Sequence, residues 1–83
     1  MPRHKLDLTI TDPESAAESV KRFLSGIEQP IVSIELTAQN RAWSFFGVYQ
    51  VSSLGRDHLA AKVIKRVIAY PFGRVTIVAR SRR

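Results

Sequence analysis

Hydrophobic residues in this chain repeat with two different periods, and the order in which these periods follow one another limits the possible folds. In three segments, Lys5–Ile10, Ile31–Gln39 and Arg74–Arg80, apolar and polar residues alternate, as they do along a half-buried β-strand. A fourth segment, Trp43–Val51, is dense in aromatic and β-branched residues, which favour strands. In two longer segments, from about Pro13 to Gly26 and from about Arg56 to Ala69, apolar residues recur every three or four positions, as in an amphipathic helix. The sequence therefore predicts six elements in the order β-α-β-β-α-β.

Capping and turn residues mark the ends of the two predicted helices. Asp12 can cap the first helix, and Pro13 suits its first position. Pro71 and Gly73 are expected to end the second helix. Proline has no backbone N–H to donate, and glycine, which lacks a side chain, is common just after a helix. This element order is typical of an α+β ferredoxin-like sandwich. Right-handed crossovers would place both helices on one face of a four-stranded antiparallel sheet and leave the other face open.

The length and composition favour one small domain without covalent cross-links. We interpret the 83 residues as a single domain, with a short flexible N-terminus (residues 1–4) and a basic C-terminal tail (residues 81–83). The chain contains no cysteine, which excludes disulfides and thiol chemistry and fits a reducing, cytoplasmic location. Its apolar runs are far shorter than the roughly 18 residues that indicate a membrane span, so we expect no membrane partner.

The titratable residues show no arrangement that is typical of a catalytic or metal site. The two histidines, His4 and His58, stand apart from other ligand-type residues, and no glycine-rich phosphate loop follows the first strand. Asp7 and Glu35 are predicted to point to the open sheet face, where paired carboxylates can act in acid–base chemistry. With Lys5 and Arg74 nearby, ordinary cross-strand ion pairs are the commoner outcome. We therefore expect a protein that is not an enzyme and needs no metal or cofactor.

The chain is strongly basic, with a formal net charge of +6 and a pI of about 10.6. Such an excess favours a polyanionic partner, which could be RNA, DNA or an acidic protein surface. The C-terminal arginines could clamp a nucleic-acid backbone. A second basic group forms a ridge on the second predicted helix and is either an ordinary solvated face or another binding surface. The members of this basic ridge are His58, Lys62, Lys65 and Arg66.

The third predicted strand, Trp43–Val51, carries large apolar residues on both of its faces. Its odd-numbered positions, which include Trp43 and Phe45, hold more apolar area, so burial alone would turn this face inward. Phe46 and Val48 would then lie on the open sheet face, and an exposed apolar strip of this kind usually marks a partner. The opposite orientation would expose Trp43 and Phe45 instead. Both orientations remain open.

Residues Arg41 to Val48 (RAWSFFGV) resemble the third-strand octapeptide of the RNA-recognition-motif family. The family pattern begins with a basic residue and places aromatic residues at its third and fifth positions. The resemblance implies that Arg41, Trp43 and Phe45 project from the open sheet face. There the aromatic side chains would stack on unpaired bases, and the arginine would contact phosphate.

Two hypotheses about function follow from the sequence. The first is a small nucleic-acid-binding module that holds single-stranded RNA, in preference to DNA, on the open sheet face. Its predicted contact residues are Arg41, Trp43, Phe45, Phe46, Arg74, Arg80, Arg82 and Arg83. The second is a protein–protein interaction module without nucleic-acid activity, either a small regulator or inhibitor or a homodimer formed through the sheet face. Affinity that falls steeply with salt is expected only for the first.

Overall fold

The computed structural model describes residues 2–39, 44–50, 55–69 and 73–82, with 44–50 described through their backbone. The helices and strands in these ranges follow the order that the two hydrophobic periods predict. They are β1 (Arg3–Ile10), α1 (Pro13–Ser25), β2 (Ile31–Gln39), β3 (Ser44–Gln50), α2 (Arg56–Val67) and β4 (Gly73–Ser81). Each predicted segment therefore corresponds to an element of the same type.

The strands pair in the order β1-β4-β2-β3, and each neighbouring pair is antiparallel. The predicted ferredoxin-like sandwich is therefore wrong, because that arrangement makes the third strand an interior strand of the sheet. Here β3 pairs with β2 alone and forms one edge, while β4 occupies the interior position between β1 and β2. A strand-like sequence pattern identifies β3 as a strand. It does not show on which side of β2 the hairpin places β3.

The sheet order also fixes where the two helices lie. Because β1 and β2 both pair antiparallel with β4, they run parallel to each other with β4 between them. A crossover through α1 connects them, and α2 makes the corresponding connection from β3 to β4. Both helices contribute to a single hydrophobic core against the sheet. The opposite face of the sheet has no helix among the described elements.

The core follows the faces that the hydrophobic periods indicate. The fully or almost fully buried helix residues are Ala16, Val20, Leu24, Leu59, Val63 and Val67. The interior strands supply Ile34, Leu36, Ala38, Val75, Ile77 and Ala79. The predicted inward side of β4 is confirmed by this set. The residues between these positions therefore point to the open sheet face.

A charged side chain caps α1. The carboxylate of Asp12 accepts a hydrogen bond from the backbone N–H of Ser15 at 3.0 Å, and the Ser15 hydroxyl donates a second one at 3.0 Å. These hydrogen bonds, with the backbone one contributing most, hold the pKa of Asp12 below its ordinary value of 3.8. Pro13 occupies the first turn, as the sequence predicts.

The Asp12→Asn variant is expected to unfold with a weaker dependence on pH in acid than the wild type. Because the folded-state pKa of Asp12 is lowered, its ionised form stabilises the fold above the ordinary pKa. This contribution is lost as the pH falls through the lowered folded pKa. Asparagine still caps a helix but does not titrate. Thermal unfolding from neutral pH down through the carboxylate range tests this, and parallel Tm curves for the two proteins would contradict it.

A single arginine ties the start of α2 to the end of α1. Gly55 precedes α2 and offers no side-chain cap, while the half-buried Arg56 turns its guanidinium toward the chain that leaves α1. It donates hydrogen bonds to the carbonyl oxygens of Leu24, Ile27 (2.6 Å) and Gln29 (3.1 Å). The Leu24 carbonyl lies in the last turn of α1, where it also accepts a hydrogen bond from the backbone N–H of Ile27 at 3.3 Å. A planar guanidinium suits several acceptors at once. The sequence analysis gave Arg56 no role.

Replacing Arg56 by alanine is expected to lower the free energy of unfolding by about 2–3 kcal/mol, because hydrogen bonds to a charged donor are lost. Urea unfolding followed by circular dichroism measures the change. Arg22→Ala, the same substitution at an exposed position in the last turn of α1, is the matched control and should cost less than about 1 kcal/mol. Equal losses in the two variants would show that the Arg56 contacts contribute little.

The N-terminal residues lie within the sheet. β1 already begins at Arg3, so the prediction of a flexible segment over residues 1–4 does not hold for its last two residues. His4 is half-buried, and its Nε2 lies 2.9 Å from the hydroxyl of the fully buried Ser81. The Ser81 backbone N–H also donates to the carbonyl of Pro2 at 3.1 Å. β4 therefore extends into the segment that the sequence suggested as a tail.

Candidate nucleic-acid interface

The open sheet face is built from alternate residues of three neighbouring strands. Strand register brings them into rows that cross the sheet. From β1, β4 and β2 in turn, the rows are Arg3, Arg80 and Ser33; Lys5, Val78 and Glu35; Asp7, Thr76 and Thr37; and Thr9, Arg74 and Gln39. Cationic side chains thus occupy both ends of the face, and both of its described carboxylates lie in the middle rows.

One end of the open face carries two arginines side by side. Arg3 pairs in register with Arg80 on the neighbouring strand. Arg3 is exposed and Arg80 is half-buried. Arg80 was among the predicted contact residues, whereas residues 1–4 were predicted to be a flexible terminus and Arg3 was not. The polar–apolar alternation begins only at Lys5, because His4 at the preceding inward position is polar, so no sequence pattern indicated that β1 starts at Arg3.

The other end of the face carries Arg74, which is exposed between Thr9 and Gln39 in the same row. Arg74 and Arg80 lie on one strand six positions apart, which corresponds to about 20 Å along the sheet. A shallow depression of about 390 Å³ surrounds Arg74. Its lining includes the side chains of Thr9, Thr37, Thr76 and Gln39. Arginine, hydroxyl and amide groups of this kind are the usual donors to phosphate oxygens.

Asp7 is held by its neighbours in the middle of the face. The Thr76 hydroxyl donates a hydrogen bond to its carboxylate at 2.6 Å, and the Lys5 ammonium lies 3.5 Å away. The Thr76 hydrogen bond and, to a smaller extent, the charge of Lys5 lower the pKa of Asp7 below its ordinary value. Asp7 lies on the open face, as predicted, but its ion pair runs along β1 and not across strands. Its negative charge is therefore partly balanced locally.

Val78 is an apolar residue at the centre of the polar open face. Only 6% of it is exposed, and it lies between Lys5 and Glu35 in its row. It is separate from the hydrophobic core that the helices cover. The aliphatic stem of a lysine commonly covers an apolar neighbour in this way while its ammonium stays in water.

The predicted aromatic contact residues fall at the edge of the sheet or outside the described ranges. Phe45 and Phe46 lie on edge strand β3, where the register pairs them with Ala38 and Thr37. The predictions about their side chains lie outside the described residues. The predictions about Arg41, Trp43 and Arg83 lie outside them as well. Ala38 belongs to the core and Thr37 to the open face, so by strand register Phe45 lies at a core-face position and Phe46 at an open-face position.

The remaining predicted basic residues lie away from the rows of the open face. Arg82 is exposed just beyond β4, where its backbone N–H donates to the carbonyl of Pro30 at 2.8 Å. The basic ridge is on α2, and its members His58, Lys62, Lys65 and Arg66 are all exposed. Because α2 packs on the core side of the sheet, the ridge and the open face are on opposite sides of the protein.

Neither a metal site nor a membrane-spanning helix is found in the described ranges. No three histidine or carboxylate side chains there lie close enough together to hold a metal ion. Neither α1 nor α2 is long and apolar enough to cross a membrane.

Comparison with known proteins relates the chain to others through its fold. No protein-family model and no curated protein matches the sequence. Among solved structures, the fold is similar to part of the Dbh DNA polymerase in its insertion ternary complex, with a TM-score of 0.61 and 10% sequence identity. The match covers 96% of this chain and 28% of the polymerase chain. At this identity the similarity shows a shared fold only, and the chain spans little more than a quarter of that polymerase.

Proposed function

We propose that this protein is a nucleic-acid-binding module that holds phosphate groups on its open sheet face. The observation that carries the proposal is the distribution of arginines on this face. Arg3 and Arg80 lie together at one end, and Arg74 lies at the other, about 20 Å away along β4. A chain with a net charge of +6 adds long-range attraction for a polyanion.

The chemistry of the open face suits a phosphate backbone better than an uncharged ligand. Guanidinium groups bind phosphate oxygens through two parallel hydrogen bonds, and the hydroxyls around Arg74 can donate further ones. The acidic residues do not cancel this charge. In the described part of the face Arg3, Lys5, Arg74 and Arg80 stand against Asp7 and Glu35. Asp7 is already engaged by Lys5 and Thr76.

The structural similarity gives supporting context for this proposal. The polymerase that shares the fold is a protein that acts on DNA, and nearly the whole of this chain matches part of it. The similarity assigns no binding residue in this chain, because only 10% of the aligned positions are identical. The proposal therefore depends on the arginines of this protein's own open face.

We further propose single-stranded RNA as the preferred ligand. This preference rests on the resemblance of residues Arg41 to Val48 to the RNA-recognition-motif octapeptide. Trp43 and Phe46 would stack on unpaired bases, Phe46 from the position where the register pairs it with Thr37 of the open face, while the arginines hold the backbone. Stacking is possible only where bases are free, so a duplex of the same sequence should bind more weakly.

The test is a titration of labelled single-stranded RNA, single-stranded DNA and duplex DNA of one sequence, each at several salt concentrations. Three or four phosphate contacts to a single strand should give a slope of log K against log salt of about −2 to −3. The fluorescence of Trp43, the only tryptophan, should be quenched on binding of RNA. No binding, or affinity independent of salt, would contradict the module. Equal or tighter binding of the duplex would contradict the RNA preference alone.

A further inference from the structure

β1 is a long edge strand with one side unpaired. It pairs with β4 through eight successive residues, Arg3–Ile10, and its other side has no strand partner in the described ranges. Edge strands are usually protected by charged side chains, a proline, a bulge, a short length or a covering loop. The charged residues of β1, Arg3, Lys5 and Asp7, lie on the open sheet face and are of both signs. β1 contains no proline, its register with β4 is unbroken, and its length is about 27 Å. Its outer backbone groups are thus suited to pairing with another strand.

The charges on β1 are complementary to those on a second copy of β1. In an antiparallel pair related by a two-fold axis at Leu6, Lys5 of each copy lies directly opposite Asp7 of the other. Both residues are well exposed, with 61% and 62% of their side chains accessible. The two ion pairs now formed along β1, one in each copy, would be exchanged for two pairs across the new strand boundary. The number of ion pairs is unchanged, and opposite charges at such positions favour this register over one that places like charges together.

Neighbouring registers are less favourable. An axis at Lys5 pairs Arg3 with Asp7 of the other copy but places the two Lys5 side chains opposite each other, and an axis at Asp7 places two carboxylates opposite each other. An axis between two residues would place each residue of β1 opposite a residue from the other face of the partner strand. The core face of one sheet would then lie beside the open face of the other. The axis at Leu6 therefore is the register favoured by charge. It also adds cover to Leu6 and Leu8, which are only half-buried in the single chain.

We propose that two copies of this protein associate through antiparallel pairing of β1 about Leu6. The two four-stranded sheets then form one continuous eight-stranded sheet. All four helices lie on one side, and the two open faces join on the other. The Arg3–Arg80 pairs of both copies thereby become part of one longer cationic surface. The proposal goes beyond the proposed function and holds whether or not nucleic acid binds.

The first test measures mass by light scattering over a concentration series, without nucleic acid. The wild type should rise from 9.4 kDa toward twice that value. Lys5→Asp and Asp7→Lys should each remain monomeric, because each places like charges opposite each other. An equimolar mixture of the two variants should form a heterodimer in native mass spectrometry, because opposite charges again face each other. Lys21→Asp, the same change at an exposed position on α1, should dimerise like the wild type.

The second test does not depend on the charge variants folding equally well. The chain has no cysteine, so Leu6→Cys introduces a single thiol at the proposed axis. Residues opposite each other in an antiparallel pair are about 4.5–5.5 Å apart at Cα, within the range of a disulfide. Mild oxidation should link Leu6→Cys, and Thr9→Cys should stay unlinked. A monomeric wild type at every concentration, no heterodimer in the mixture, or equal cross-linking of the two variants would overturn the proposal.

Discussion

Replacing Ile77 by alanine is expected to lower the free energy of unfolding by about 2–5 kcal/mol. Ile77 is fully buried on β4, and the register places it between Leu6 and Leu36. Truncation removes transfer free energy and leaves a cavity that flanking strands on both sides cannot easily close. A domain of this length has a total stability of about 4–12 kcal/mol. The loss is therefore a large fraction of the total stability, and the urea concentration at the unfolding midpoint should fall in proportion.

Ile68→Ala is the matched control, because the same substitution is made at a residue that is 42% exposed at the end of α2. It should change the free energy of unfolding by less than about 1 kcal/mol. Both variants should unfold with the m-value of the wild type, since their folded and unfolded states expose similar areas. Similar small losses in both variants would contradict the interior position of β4. If β4 were an edge strand, the structure around Ile77 could close the cavity more easily, and the free energy of unfolding would fall by less.

The order of helices and strands could be predicted because local patterns determine it. Alternation over Ile31–Gln39 follows from burial of one face, and from Ser33 onward it holds in the structure with Ile34, Leu36 and Ala38 inward. Before that, a register irregularity between Ile31 and Ser33 breaks the alternation, and Ile31 is buried. The start of α1 was predictable for the same reason. Asp12 and Pro13 act within one turn of the helix that they begin, and no distant residue is needed for them to do so.

The arrangement of the strands could not be predicted in the same way. After β2 the chain can turn to either side, and both choices bury the same faces of β2 and β3. The decision depends on which strand occupies the space next to β2, and that strand is β4, more than thirty residues later in the chain. The ferredoxin-like arrangement was assumed from element order alone. Strand order is a property of long-range pairing, which element order leaves open.

The candidate site was predictable in part. Alternation along β4 is enough to place Arg74 and Arg80 on the face opposite Ile77. That Arg3 joins Arg80 could not be known without the register between β1 and β4. The role of Arg56 was equally hidden, because its acceptors are backbone carbonyls up to 32 residues away and carry no side-chain signature. A sequence pattern shows on which face of a helix or strand a residue lies. Which residues of different elements meet depends on the fold.

Neutralising both arginines on β4 is expected to weaken nucleic-acid binding about a hundredfold. In the Arg74→Gln/Arg80→Gln variant each substitution removes a charge-assisted contact, and the lower end of the usual range for such a contact, about 1.5 kcal/mol, is roughly tenfold in affinity. The slope of log K against log salt should become shallower by about 0.7 for each lost contact to a single strand. The fold should be retained, because neither side chain is part of the hydrophobic core. Fluorescence anisotropy at several salt concentrations measures both quantities.

The matched control for this variant is Lys62→Gln/Lys65→Gln, which removes the same net charge from the basic ridge on α2. A general electrostatic effect would weaken binding equally in both variants, since long-range attraction depends mainly on total charge. Direct phosphate contacts on the open face predict a large loss in the arginine variant and a small one in the lysine variant. The reverse result would place the interface on α2. Because the ridge and the open face lie on opposite sides of the protein, the two outcomes cannot be confused.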